Sequence, residues 1–188
     1  MTRRALVTAV LAFLAGFAGV GSASAAVYGH WADNDPTHPH GYAIIHDETG
    51  AWAPVYNVVI DWDTETRLDL TYTAGACTSN HCVPFSEADL GPCDSANTTG
   101  VGATYPAGPS SAGHLLSGTH SVIDSACSTR GFSARQELVC HEMGHAIGLK
   151  DRGAGAFSCM RSGVDLGTQT DGDASDFSSL HSAYNHND

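Results

Sequence analysis

Apolar positions recur along the chain in two rhythms, one of period two and one near 3.6 residues. Tyr42-Ala43-Ile44-Ile45-His46 is a short apolar run and predicts a first strand after an irregular, Asp-, Pro- and His-rich stretch over 27–39. Val55, Val58, Val59 and Trp62 fall at i, i+3, i+4 and i+7, which predicts a helix, although their β-branched content pulls toward strand. Arg67 to Thr73 alternates Leu68, Leu70 and Tyr72 with polar residues, the pattern of a half-buried strand. From 74 to 118 Gly, Ser, Pro and Asn dominate, which predicts long, disulfide-tied loops with short strands. His120 to Ser125 predicts another strand, with Val122-Ile123-Asp124 either in the core or at the edge where an extended peptide adds. Ser133 followed by Gln136 is a capping-box pattern that places Ser133 as N-cap of a helix running to about Gly148. A last helix starts at Ser175 or Asp176 and runs through Phe177, Leu180 and Tyr184. There is no internal repeat and no sign of a second domain.

The N-terminus belongs to a different pattern. Arg3 and Arg4 precede a mostly apolar stretch from Ala5 to Val20, and Ala23-Ser24-Ala25-Ala26 follows. This reads as a secretory signal peptide over 1–26, cut after Ala25 or Ala26, and leaves a single domain at 27–188. The apolar stretch is short for a bilayer span, so no membrane anchor is expected and the protein is expected outside the cell. Eight basic residues face 20 acidic ones for a formal net charge of −12, and Arg3 and Arg4 lie in the leader, so the remainder is more acidic still. Such a charge argues against nucleic acid and anionic membranes as partners. The six cysteines, Cys77, Cys82, Cys93, Cys127, Cys140 and Cys159, are even in number and read as disulfides of an exported domain. Pairing stays open; Cys140–Cys159 and Cys77–Cys82 are preferred, which leaves Cys93–Cys127.

The chemistry concentrates at His141-Glu142-Met143-Gly144-His145. On a helix, residues i and i+4 share a face, so both imidazoles can reach one zinc ion. Glu142 between them is placed to take a proton from water at that ion. Leu138, Val139, Met143, Ala146 and Ile147 supply a packing face for the helix. Gly148 can take the left-handed conformation that ends a helix, and the turn brings Asp151 back toward the metal as a third ligand. A rival third ligand is Asp171, in Gly167-Thr168-Gln169-Thr170-Asp171, which matches the GTxxD string of deuterolysin-like zinc peptidases. A thermolysin-like ligand set needs a downstream glutamate, and Glu142 is the last glutamate in the chain.

HEMGHAIGLKD resembles the extended HExxHxxGxxH/D motif of the metzincin metallopeptidases, and Ser158-Cys159-Met160 resembles their Met-turn. Most of that clan, the matrixins among them, use a third histidine; aspartate there resembles the snapalysins, small secreted bacterial proteases. The resemblance covers roughly 120–185 and is weaker over 42–73. It implies zinc bound by His141, His145 and Asp151, Glu142 as base and Met160 beneath the metal. It also implies an α+β fold: a small twisted mixed β-sheet packed on the active-site helix, an upper part to about 148, and a small C-terminal subdomain over 149–188 ending in a helix. Ser162 stands where some metzincins carry a tyrosine, so no tyrosine switch is expected. The activity implied is hydrolysis of internal peptide bonds in protein or peptide substrates, by a monomer. The rival from another class is a non-catalytic, disulfide-bonded zinc-binding module, and Glu142 argues against it because metal binding alone needs no base.

Other polar clusters have plainer readings. Asp171, Asp173 and Asp176 suggest a calcium (Ca2+) loop, but the glycine and glutamate that an EF-hand needs are missing, so turns and an N-cap account for them better. His38 and His40 beside Asp33 and Asp35 read as loop residues, and Asn97-Thr98-Thr99 is a glycosylation sequon.

Overall fold

A computed structural model of the chain describes residues 25–32, 40–93, 101–108, 110, 113–115, 117–163 and 166–185. Residues 1–24 of the leader expected over 1–26, the loop residues Asp33, Asp35 and His38, and the Asn97 sequon lie outside the described residues.

The strands are β1 (Tyr42–Asp47), β2 (Asp69–Thr73), β3 (Cys82–Ala88), β4 (Gly102–Tyr105) and β5 (His120–Asp124). They form one five-stranded sheet in the order β2-β1-β3-β5-β4. β2, β1, β3 and β5 are parallel neighbours; β4 closes one side antiparallel to β5. The helices are α1 (Val55–Glu65), α2 (Phe132–Ala146) and α3 (Ala174–Ala183). Together these make a small α+β fold with a mixed sheet.

The conflict over 55–62 resolves as helix. Val55, Val58, Val59 and Trp62 are all buried. A strand would send Val58 and Val59 to opposite faces, whereas one turn of helix puts both against the core. α1 packs on β2 and meets α2, which in turn lies against β4 and β5.

Two expectations are corrected and one open reading is decided. β3 spans seven residues inside the stretch read as mostly loop: Val83 and Phe85 are fully buried, and Pro84 between them disguises the alternation. β5 is an interior strand flanked by β3 and β4, so of the two readings left open for Val122–Asp124 the core one holds; the sheet edges are β2 and β4. The caps also move. α2 begins at Phe132 with Gly131 as N-cap and no side-chain cap, because the 3-10 turn Ser125–Thr129 delivers the chain through Arg130 and Gly131. Ser133 therefore lies within the first turn, and the Gln136 amide points instead to Asp171. α3 starts earlier than expected, at Ala174, capped by Asp173 in a reciprocal box with Asp176.

Disulfides join Cys77 to Cys82, Cys93 to Cys127 and Cys140 to Cys159. Among the described residues no helix is long and apolar enough to cross a membrane.

One buried carboxylate ties the segment after α2 to the helix. Glu137 is 1 % exposed. Its Oε2 accepts from the backbone N–H groups of Gly167, Thr168 (2.8 Å) and Gln169 (3.1 Å), and its Oε1 accepts from Arg161 at 2.8 and 3.1 Å. Glu137→Ala leaves three amides and a guanidinium without their acceptor, so urea denaturation should show a loss of roughly 3 kcal/mol.

Candidate metal centre

α2 presents His141 and His145 on one face, with their Nε2 atoms 3.0 Å apart and the rings edge to face. What makes these two side chains a site is how abruptly the helix stops. The Leu149 N–H donates to the Gly144 carbonyl (2.9 Å) and the Gly148 N–H to that of His145 (3.0 Å), a Schellman turn. Gly148 sits at φ 110°, and a Cβ there would strike the Gly29 carbonyl, so both conformation and space demand glycine.

The last carbonyls of α2 would be orphaned by this stop, and side chains far away in sequence satisfy them. The Tyr28 hydroxyl donates to the His145 carbonyl, Trp31 Nε1 to Ala146 (3.0 Å) and the Tyr184 hydroxyl to Ile147 (2.9 Å). The Tyr28 N–H reaches the Gly148 carbonyl (2.8 Å). The N-terminal segment and the end of α3 thus clamp the terminus that carries the second histidine.

Beyond the turn the chain doubles back. Asp151 Oδ1 lies 3.3 Å from His141 Nε2 and 3.5 Å from His145 Nε2. Zinc bound tetrahedrally at ~2.0–2.1 Å requires ligand atoms about 3.3 Å apart, so the three separations fit such an ion. Each ring is also oriented from behind. His141 Nδ1 pairs with the Cys159 carbonyl and His145 Nδ1 with that of Leu149, both at 2.8 Å. A carbonyl can only accept, so Nδ1 carries the proton and Nε2 turns its lone pair inward. The adjacent imidazoles of His141 and then His145 hold the Asp151 carboxyl well below the usual carboxylate range, keeping it ionised. Burial by itself lowers the His141 pKa, but the neighbouring Asp151 and Glu142 carboxylates outweigh it and the net shift is upward.

The Cys140–Cys159 disulfide bonds the residue before His141 to the residue whose carbonyl orients that ring. Met160 then lies directly against Gly144: a Cβ at this position would collide with the Met160 sulfur. The glycine inside HEMGH is therefore a packing requirement of the SCM segment, a link that neither motif reveals alone.

Glu142 is 3 % exposed and sits beneath β4. The Thr104 hydroxyl lies 2.8 Å from Glu142 Oε2, 3.0 Å from the Glu142 carbonyl and 2.8 Å from Ser121 Oγ. A Cβ on Gly102 would come within 2.6 Å of Glu142 Oε1, so only glycine lets the strand pass over the carboxylate. Burial pushes the Glu142 carboxyl above its ordinary range, and the neighbouring imidazoles and Thr104 draw it partly back. Thr104, Gly102 and Tyr28 are absent from the sequence reading because nothing local distinguishes them. An open cleft of about 520 Å³ adjoins the centre, with Tyr28, Thr104, Pro106, His145, Lys150 and Asp151 on its walls.

Among the described residues, His141, His145 and Asp151 form the one His/Cys/Asp/Glu group placed to hold a metal ion. Asp171 is not part of it. Its carboxylate is contacted by Thr170 Oγ1 (2.9 Å) and Gln136 Nε2 (3.5 Å), in a pocket walled by Val58 and Trp62 of α1, which corrects the GTxxD reading. Asp173 and Asp176 cap α3, the role preferred for them over a calcium loop, and pair with Arg152 at 2.6 and 3.3 Å instead of converging with Asp171 on a cation.

No protein-family model and no curated protein sequence matches the chain. Among solved structures the chain is similar to myroilysin, with a TM-score of 0.46 and 12% identity over 79% of this chain and 95% of that one, a distant likeness.

Thr104→Val keeps the shape but removes the hydroxyl, leaving a buried Glu142 oxygen without its donor. The expected outcome is a loss of about 1–3 kcal/mol in denaturant unfolding with metal content retained, since no candidate ligand is touched.

Proposed function

We propose that this chain is a secreted, zinc-dependent endopeptidase of metzincin type, cleaving internal peptide bonds of proteins. The observation that carries the reading is the convergence of two oriented imidazole nitrogens and the Asp151 carboxylate within 3.0–3.5 Å, beside a buried glutamate. The donor set of two nitrogens and one oxygen suits zinc and leaves a fourth position for a reactant. Zinc held there supplies Lewis acidity to water and to a substrate carbonyl.

The remaining work falls to the chain. Glu142 takes the proton of the attacking water and passes it to the leaving amine nitrogen, so its carboxylate must be ionised yet poorly solvated. Burial beneath β4 provides that environment, and Thr104 keeps the carboxylate from swinging away. β4, as the antiparallel edge of the sheet, offers backbone partners to a peptide lying extended across the cleft. Met160 and the Cys140–Cys159 bridge support the helix from below, and Gly148 delivers Asp151. Three disulfides, with no membrane-crossing helix among the described residues, suit a protein outside the cell.

Purified mature protein should contain one equivalent of zinc and digest casein, and a chelator should stop the digestion. Glu142→Gln should keep the zinc and lose activity by at least 100-fold, on the order of what a positioned general base contributes. Zinc binding without any peptide cleavage would instead favour a non-catalytic binding module. Asp151→Ala should lower zinc occupancy while Asp171→Ala leaves it at the wild-type level; the opposite pattern would return the third ligand to the GTxxD segment.

A further inference from the structure

The chain has a single lysine, Lys150, and it lies on the wall of the cleft beside the metal centre. Most other cations of the described fold are committed elsewhere. Arg67 reaches Asn185, Arg135 the Trp52 carbonyl, Arg152 the acids of the α3 cap, and Arg161 Glu137. Asp151 is the one carboxylate among the cleft-lining residues, and it is turned to the two imidazoles.

The backbone at Lys150 is held on both sides. Val27 and Leu149 form an antiparallel bridge before it, the Arg152 N–H donates to the Met160 carbonyl (2.8 Å) after it, and the next residue is the candidate ligand Asp151. Lys150 is thus carried on an anchored segment, next in sequence to Asp151, and lines the open cleft. A flexible loop would carry no such commitment to one subsite.

Resting on the peptidase reading, we propose that Lys150 selects substrates with an aspartate or glutamate side chain at the subsite it lines. The strongly acidic surface of the protein opposes this at long range. The two effects act over different distances: charges more than about 8 Å apart are largely screened at physiological salt, whereas a contact pair in a cleft is not. The local cation therefore decides the preference near the cut. An exposed to half-buried ion pair is modest, so the preference is about threefold to fivefold and no larger.

The test is a set of quenched fluorescent peptides in which glutamate replaces glutamine at each position flanking the cleaved bond. The readout is the ratio of kcat/KM for the Glu and Gln members of each pair, with zinc-loaded enzyme at 0.15 M salt. Wild type should show a ratio of about three to five at one position. Lys150→Gln should bring that ratio to one, Lys150→Glu below one, and Lys150→Arg should retain it. Raising the salt should shrink the wild-type ratio. A ratio of one at every position in wild type, or a preference that survives Lys150→Glu, would overturn the role of Lys150 and leave the peptidase reading standing. Failure of the zinc-loaded wild type to cut any peptide would remove the peptidase reading, and this inference with it.

Discussion

The structure turns on where α2 stops. Had the helix continued past Ile147, the next residues would run on away from the two imidazoles, and Asp151 would be carried off with them. Gly148 permits the chain to reverse within a single turn, and the close approach of the Gly29 carbonyl shows that the reversal is built into the packing. A Schellman turn alone leaves several carbonyls unsatisfied in a buried place. That cost is met by Tyr28, Trp31 and Tyr184, from opposite ends of the chain. The residues that complete the candidate metal centre are therefore held by the same contacts that bury the helix end.

A second constraint fixes the imidazoles themselves. Each must present Nε2 rather than Nδ1, and each does so because a backbone carbonyl stands behind it. One of those carbonyls follows directly from the Schellman turn. The other arrives through the Cys140–Cys159 bridge, with Met160 pressed against Gly144 as part of the same segment. Ring orientation is thus set by covalent and backbone geometry, which loses little conformational entropy when an ion binds. Glu142 is held in the same way from above, by a strand whose Gly102 and Thr104 contact the carboxylate.

Charged groups in this fold divide between construction and chemistry. Glu137, Arg152, Arg161, Asp173 and Asp176 form paired, mostly shielded networks that organise the polypeptide following α2, where regular structure is sparse before α3. Two of the disulfides, Cys93–Cys127 and Cys140–Cys159, are built into or against the hydrophobic core. The few ionisable groups outside those networks near the cleft are Glu142, held beneath β4 by Thr104, Asp151, turned to the two imidazoles, and Lys150 on the cleft wall.

Much of the candidate centre was legible from spacing. His141, Glu142 and His145 share a helix, and Gly148 and Asp151 follow at short range, so period 3.6 and the conformational freedom of glycine were sufficient to bring them together on paper. Choosing Asp151 over Asp171 was a closer matter, because both strings satisfy the local chemistry and differ only in where the fold sends them. The elements with strong periodicity, β1, α1, β2 and α2, were readable for the same reason. β3 was obscured by Pro84; the start of α2 moved to Gly131 because the preceding 3-10 turn delivers the chain there, and that of α3 because Asp173 takes the cap ahead of Ser175 and Asp176. Thr104, Gly102, Tyr28 and Lys150 could not be assigned to the site from the linear chain. Their importance comes from contacts made across dozens of residues, by a sheet edge, a wrapped N-terminal segment and a cleft wall, and such contacts exist only after the chain has closed on itself.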